Sequence, residues 1–221
     1  MMTQKNISAS YKKLLPIIGE KFDIEPIYVS LDNDSEYRHL FENLTQVDFQ
    51  KNLDNLVLSN YTTWSISGYL ENRASILSDY PQMIEEERIY HLGIDINLPR
   101  GTKLYAPCES EIVLSRYESG DGNYGGMTIL KIQNDEIYYM LFGHLNPDNL
   151  PNEGYKLKKG ELFATLGEMS QNGNWFYHTH LQILTQTAYD EGWYNKGYCT
   201  KGELSKIANF CPNPFDKNYL L

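Results

Sequence analysis

The sequence predicts a mainly β protein, α+β overall, in which an antiparallel β core follows a helical N-terminal extension. Two observations support this division. Before about residue 85, apolar residues recur at helical spacing. After it, short alternating runs of apolar and polar residues are separated by Gly, Pro and Asn, the pattern of many short strands. We therefore divide the 221 residues into an extension, 1–85, and a β domain, 86–221.

Three groups of apolar residues indicate helices in the extension. They are Leu14, Leu15 and Ile18, then Leu40 and Leu44, then Phe49, Leu53, Leu56 and Val57. Asp48 occupies the position expected for the N-cap of the third helix. Residues 26–31 are typical of one short strand. We expect the extension to pack against the β domain and to form one wall of its cleft.

The β domain opens with a strand in which Ile94 and Ile96 alternate with Asp95 and Asn97. Apolar runs at 127–132 and 137–142 lie on either side of a polar turn, which predicts a hairpin. Further strands are expected at 111–114, 162–166 and 179–184. Many short strands at close spacing favour an antiparallel sheet over a wound α/β sheet.

Charge and cysteine usage exclude several classes of protein. The net charge of −10 argues against nucleic-acid binding, which needs clustered Lys and Arg. Three cysteines without C-x-x-C spacing indicate neither a disulfide framework nor a thiolate zinc site. We find no signal peptide and no apolar run of membrane-spanning length, and expect a cytoplasmic protein or one exported by a non-classical route. The oligomeric state stays open.

Four of the five histidines lie in the β domain, and their spacing suggests a site. His178 and His180 are two residues apart, so a strand places both imidazoles on one face. His91 and Asp95 also share strand parity, but an extended chain would separate them by about 13 Å at roughly 3.3 Å per residue. Gly93 between them allows a bend that brings them together. Two histidines and one carboxylate with an open position form a catalytic zinc set.

The order of these motifs resembles that of a known family. His-x-Gly-x-Asp at 91–95, Gly-His-Leu at 143–145 and His-x-His at 178–180 are similar to the motifs of lysostaphin-type zinc endopeptidases (LytM-like domains). Many members of this family cut peptidoglycan peptides. The resemblance covers residues 86–214 and includes the Ala-Pro pair at 106–107 and the glycine-rich segment at 122–126. The residue between the last two histidines is Thr179, where the family has an apolar residue.

The resemblance implies a site residue by residue. His91, Asp95 and His180 would hold one zinc ion per chain, and His144 and His178 would be the catalytic residues. The implied fold is an antiparallel β core with a groove over the metal, which agrees with the strands expected above.

The implied function is hydrolysis of peptide bonds, of peptidoglycan stem or cross-bridge peptides, by attack of a zinc-activated water. Zinc lowers the pKa of bound water from about 15.7 toward 7. The chain has no H-E-x-x-H helix to supply a glutamate base. The base and the stabiliser of the oxyanion are therefore expected to be His144 and His178, with the two roles not divided between them.

Two other functions stay open. One is a non-cleaving, zinc-bearing binding or regulatory module, and the other is an intracellular hydrolase of small peptides or amides. Relatives that only bind typically lack a metal ligand or a catalytic histidine, and this chain lacks none of them. The sequence therefore favours an active metalloendopeptidase.

Aromatic and basic residues supply further candidates. Tyr124, Tyr138 and Trp175 would line the groove, or else belong to the core. Arg73 and Arg88 are candidates for anchoring a substrate carboxylate, although surface ion pairing is the simpler interpretation of both.

Overall fold

The computed structural model describes residues 2–216 and 219–220, in which there are twelve strands and seven α-helices. The strands are β1 (Ile27–Tyr28), β2 (Ser65–Ser67), β3 (Tyr90–His91), β4 (Ile94–Asn97), β5 (Lys103–Tyr105), β6 (Ser110–Glu118), β7 (Gly125–Gln133), β8 (Ile137–Leu145), β9 (Lys156–Leu157), β10 (Leu162–Thr165), β11 (Thr179–Thr185) and β12 (Tyr198–Cys199). The helices are α1 (Gln4–Ser10), α2 (Leu15–Ile18), α3 (Arg38–Phe41), α4 (Gln46–Ser59), α5 (Pro81–Glu85), α6 (Gln186–Asp190) and α7 (Leu204–Phe210).

Eight of these strands form one sheet, in the order β1-β2-β4-β11-β8-β7-β6-β9. Each neighbouring pair is antiparallel except β1 with β2, which is parallel. Strands β5 and β10, and strands β3 and β12, form two further antiparallel pairs. The predicted mainly β fold with an antiparallel core is confirmed.

The predicted hairpin is the pair β7–β8, which forms the middle of the sheet together with β11. Ile129 pairs with Leu141, and Leu130 pairs with Met140. Because successive strand residues face opposite sides of a sheet, these pairs point in opposite directions. Leu130 and Met140 enter one apolar cluster, and Ile129 and Leu141 enter another. Both faces of the hairpin are therefore buried, which explains why its strands are apolar along most of their length.

The N-terminal extension shares this core. Ile7, Leu14 and Ile17 are fully buried and belong to the same apolar cluster as Ile94 and Leu130 of the sheet. Strands β1 and β2 also widen the sheet, because they are added at its edge beside β4. Residues before 85 therefore contribute to the same sheet and the same core as those after it. The domain boundary at that position stays a prediction.

Helix α4 is the third predicted helix, and it docks on the segment that leads to β11. The Thr45 hydroxyl accepts a hydrogen bond from the backbone N–H of Asp48 at 3.2 Å. The N-cap is therefore Thr45, and the prediction of Asp48 is wrong, because Asp48 is the residue whose N–H the cap satisfies. Phe49 and Leu53, four residues apart, are buried on one face. The Phe49 ring stacks on Phe176 with ring centroids 4.3 Å apart.

The other elements of the extension are shorter than the sequence predicts. The second helix spans Arg38–Phe41, and the strand expected at 26–31 spans Ile27–Tyr28. Across the described part of the chain, no helix combines the length and the apolar character that a membrane crossing requires.

The shared core predicts that a cavity in the extension destabilises the whole protein. Leu14→Ala, at a fully buried position, should lower the free energy of unfolding by about 2–5 kcal/mol. Leu58→Ala makes the same chemical change where the side chain is 69% exposed, and should alter stability by less than about 0.5 kcal/mol. Urea denaturation of both variants measures the difference, and equal stabilities would contradict the shared core.

Candidate metal centre

Strands β4 and β11 place an aspartate and a histidine side by side. His180 and Asp95 are direct partners in the antiparallel register, and the His180 Nδ1 lies 3.4 Å from the Asp95 Oδ1. His91, at the end of β3, brings its Nε2 to 3.2 Å from the same oxygen and 2.8 Å from the His180 Nδ1. One ligand atom from each of the three residues therefore lies within 4.8 Å of the others. The predicted ligand set is brought together.

Gly93 makes this approach possible. It separates β3 from β4, so the chain bends between His91 and Asp95. A Cβ atom at Gly93 would lie 2.5 Å from the backbone oxygen of Leu181 and 2.8 Å from the His180 Cε1. Both distances are shorter than nonbonded carbon and oxygen atoms tolerate. A glycine is therefore required where β11 passes.

Hydrogen bonds set which ring nitrogen of each histidine faces the centre. The His91 Nδ1 donates to the backbone oxygen of Gly68 at 2.9 Å, which leaves the Nε2 with a lone pair. The His180 Nε2 donates to the Gln182 Oε1 at 2.9 Å, which leaves the Nδ1 with a lone pair. The Gln182 amide is held in turn by the Cys211 sulfur, 3.4 Å from its Nε2. Partners of this kind orient metal-binding imidazoles and select their tautomers.

His144 and His178 lie beside the three predicted ligands. The rings of His144 and His178 have centroids 4.3 Å apart, and the His178 Nε2 is 3.5 Å from the Asp95 Oδ1. The His144 Nδ1 donates to the backbone oxygen of Asn172 at 2.7 Å, and the His178 Nδ1 donates to the backbone oxygen of Phe176 at 2.9 Å. Both rings therefore keep an unprotonated Nε2. The fifth histidine, His39, is exposed on α3.

Burial keeps three of these imidazoles neutral. It lowers the pKa of His91 to about 3, with the positive charge of Arg73 adding to the effect. It lowers the pKa of His178 to about 4 and that of His144 well below its usual value. Burial alone would raise the pKa of Asp95, but the neighbouring His91 and Arg73 side chains outweigh it and hold that pKa well below its usual value. A neutral imidazole and an ionised carboxylate are the forms that bind metal.

The arrangement fits a bound cation. Two acceptor nitrogens, of His91 and His180, face each other at 2.8 Å. The Asp95 Oδ1 is buried and has no hydrogen-bond partner. Three electron-rich atoms in such contact repel one another unless a positive charge lies among them. Imidazole nitrogens and one carboxylate oxygen are a ligand set that suits zinc.

The cavity over these side chains is small, about 90 Å³. The extension forms one wall of it, with Gln82 and Met83 of α5, and Trp175 and Tyr198 lie among its other walls. Tyr80 joins two of the walls, since its hydroxyl donates to the Asn174 oxygen at 2.6 Å and its ring lies 4.1 Å from that of Trp175. The five histidine and aspartate side chains at its base are each at most 5% exposed.

The structure decides between the alternatives for Tyr138, which belongs to the core, and for Arg73, which is buried and lines the cavity. The Tyr138 hydroxyl donates to the backbone oxygen of Tyr219 at 3.1 Å, and its ring belongs to the core. Arg73 is buried, at 1% exposure, and contacts the Asp95 Oδ2 at 2.5 Å. Its interpretation as a surface ion pair is therefore wrong. Tyr124 and Trp175 do line the cavity, as does Arg88, which pairs with Glu86.

Comparisons with known proteins match one segment of the chain. The sequence model of peptidase family M23 matches residues 89–191. Over 76 residues, 34% of this chain, the sequence is 36% identical to the uncharacterized lipoprotein YgeR of Escherichia coli (strain K12), and the match spans 28% of that protein.

Three solved structures are similar to parts of this chain. LytU is 22% identical, with 57% of this chain and 70% of that chain covered and a TM-score of 0.39. The catalytic domain of the antimicrobial peptidase lysostaphin from Staphylococcus simulans is 19% identical, with 54% and 80% covered and a TM-score of 0.38. A zinc-containing peptidase from Vibrio cholerae is 23% identical, with 43% and 27% covered and a TM-score of 0.36.

The match to peptidase family M23 supports a metallopeptidase, and the cluster of His91, Asp95 and His180 is a group that could hold its metal. The model of peptidase family M23 matches 103 of the 221 residues, and the resemblance to lysostaphin-type peptidases drawn from the motifs is confirmed.

The close approach at Gly93 predicts a specific sensitivity to substitution. Gly93→Ala should displace β11 and lower the free energy of unfolding by about 1–3 kcal/mol, as overpacking does. Gly202→Ala is the matched control, because a Cβ atom there would meet its nearest neighbour at 3.9 Å. Chemical denaturation of the metal-free proteins measures both changes. Equal stabilities of the two variants would show that β11 tolerates a side chain at Gly93.

Proposed function

We propose that this chain is a zinc-dependent metalloendopeptidase that hydrolyses peptide bonds of peptidoglycan stem or cross-bridge peptides. The observation that supports it most is the convergence of unprotonated ring nitrogens on the unpartnered Asp95 Oδ1. His91, Asp95 and His180 would hold one zinc ion per chain, and His144 and His178 would act on the substrate. The match to peptidase family M23 supports the same reaction class.

The metal and the two further histidines would divide the chemistry. When bound, zinc supplies a Lewis acid for the peptide carbonyl and lowers the pKa of a coordinated water. His144 and His178 are neutral at pH 7, because burial lowers the pKa of both. Each presents an Nε2 lone pair that accepts a proton, and each Nδ1–H is anchored on a backbone carbonyl, which keeps the ring in position as the proton arrives. The protonated ring then donates to the oxyanion or to the leaving amine.

The small cavity favours a second candidate, the hydrolysis of short peptides or small amides. Ligand pockets usually enclose about 300–1,000 Å³, whereas this one encloses about 90 Å³. A cross-linked peptidoglycan strand requires the α5 wall to move outward, and a small amide requires less displacement. The relative in Escherichia coli is named a lipoprotein, which supports the cell envelope as the place of action and hence the peptidoglycan substrate.

Variants of three histidines separate metal binding from catalysis. His180→Ala should lose zinc and activity together, because two remaining protein ligands hold the metal poorly. His144→Ala and His178→Ala should keep close to one zinc per chain and lower turnover by roughly a hundredfold or more. His39→Ala, at an exposed position, should match the parent in both. Metal analysis beside cleavage rates distinguishes these outcomes. Equal zinc loss in all three site variants would mean that the ligand set is wrong.

A choice of substrates separates the two candidate reactions. We expect the purified protein to release new amino termini from isolated peptidoglycan, to stop when a chelator removes zinc and to recover when zinc is restored. Cleavage of short peptides without cleavage of peptidoglycan would favour the small-substrate hydrolase. A fully zinc-loaded protein that cleaves neither would instead support a non-cleaving binding module.

A further inference from the structure

We propose that Arg73, held in place by Glu71, is a positioning residue for Asp95, so that the extension completes the metal centre from outside the family domain. This inference rests on the zinc site of the proposed function. Arg73 lies before residues 89–191, the segment that matches peptidase family M23. Its side chain is 1% exposed, as is that of Asp95.

The guanidinium group of Arg73 is fixed on several sides. Its Nη1 donates to the Asp95 Oδ2 at 2.5 Å and lies 3.4 Å from the Tyr198 hydroxyl. Its Nε and Nη2 both donate to the Glu71 Oε2, at 3.1 and 3.0 Å. The Nη2 also contacts the Gly68 backbone oxygen at 3.3 Å. A planar group with this many partners has one orientation, which a flexible ammonium group would not reproduce.

This contact decides which carboxylate oxygen faces the metal. Because Arg73 engages the Oδ2 of Asp95, the Oδ1 is left pointing at the ring nitrogens of His91 and His180. Without Arg73, the carboxylate would be free to rotate about its terminal bond. Arg73 therefore selects a single oxygen as the donor and holds it in place before the metal arrives.

Glu71 balances the charge. Two carboxylates, of Glu71 and Asp95, pair with the one guanidinium group of Arg73, and all three side chains are at most 5% exposed. The Tyr28 hydroxyl donates to the second Glu71 oxygen at 2.9 Å, so both oxygens are bonded. Without Glu71, the charge of Arg73 would oppose the incoming cation. Without Arg73, two buried carboxylates would be left without a compensating charge.

The same segment supports a second ligand. The backbone oxygen of Gly68 accepts from the His91 Nδ1 as well as from Arg73. A Cβ atom at Gly68 would lie 2.5 Å from the Tyr28 hydroxyl and 2.7 Å from the Glu71 Oε1. Residues 68–73 therefore pack tightly behind the centre and contact two of its three ligands.

The main test measures zinc affinity, which does not depend on knowing the substrate. Arg73→Met in the full chain should weaken zinc binding by about tenfold to a hundredfold, as loss of a group that orients a ligand does. Arg38→Met is the matched control, because Arg38 also belongs to the extension and pairs with Glu42 on the exposed surface. It should leave the zinc dissociation constant, measured by chelator competition, unchanged. The absorption spectrum of the cobalt(II) form should change for Arg73→Met alone, because it reports ligand geometry.

Two milder variants keep the inference testable if Arg73→Met does not fold. Arg73→Lys keeps the positive charge but loses the planar guanidinium group with its several N–H donors. This variant should bind zinc more weakly than the parent and more tightly than Arg73→Met. Glu71→Gln keeps the contact between Arg73 and Asp95, and should weaken zinc binding because the guanidinium charge is no longer balanced. Circular dichroism of the metal-free proteins establishes that each variant is folded.

The double variant Arg73→Met with Glu71→Gln removes one charge of each sign. If Arg73 acts by positioning Asp95, zinc binding stays weak in this variant although the net charge is restored. Parent-like affinity in the double variant would overturn positioning. Folded single variants that bind zinc within about twofold of the parent, with an unchanged cobalt spectrum, would overturn the inference as well.

These outcomes are separate from those that test the peptidase. A parent that binds one zinc per chain and cleaves no substrate would contradict the proposed function and leave the role of Arg73 supported by affinity. A parent that cleaves, with an Arg73→Met variant of equal affinity and rate, would contradict the role of Arg73 alone. A parent that binds no zinc would contradict both.

Discussion

The candidate centre depends on one buried carboxylate, that of Asp95 in strand β4. An ionised group that is 1% exposed has lost its hydration, so its surroundings must replace the interactions with water. Arg73 does this at the Oδ2. At the Oδ1, three imidazole nitrogens lie within 3.5 Å, and none of them satisfies it with a hydrogen bond: those of His91, His178 and His180. The electrostatics of the site follow from this asymmetry between the two oxygens.

The sheet explains why the polar residues gather at one place. Its central strands are covered on both faces by apolar clusters, so a charged group finds room only where those clusters stop. Asp95 of β4 and His180 of β11 lie side by side at such a place, because they are partners in the antiparallel register. The extension then closes the remaining side, since Gly68 and Arg73 approach from behind. Residues before 85 and the segment 89–191 are in this sense one structural unit around the candidate metal centre.

Access to the centre is the main constraint on function. The cavity encloses about 90 Å³, and α5 forms part of its wall. This helix has five residues. Two hydrogen bonds join its segment to the opposite loops: the Tyr80 hydroxyl donates to the backbone oxygen of Asn174, and the Gln82 side-chain amide donates to the backbone oxygen of Asp121. Tyr80 and Met83 of this segment are also buried in the apolar cluster that contains Trp175. A substrate larger than the cavity therefore has to displace part of this wall.

The amino-acid sequence by itself determined the mainly β fold, the central hairpin and the motif order that brings His91, Asp95 and His180 together. These follow from local patterns, since strand parity and a glycine between two ligands are visible along the chain. It did not determine the N-cap Thr45, the choice between groove and core for Tyr138 or the buried position of Arg73. Strands of two and three residues, such as β2 and β12, carry too little pattern to be recognised. A charged residue is expected to be exposed when only the sequence is known. Only the tertiary structure decided that Arg73 is buried against Asp95, because burial depends on what the rest of the chain places around a residue.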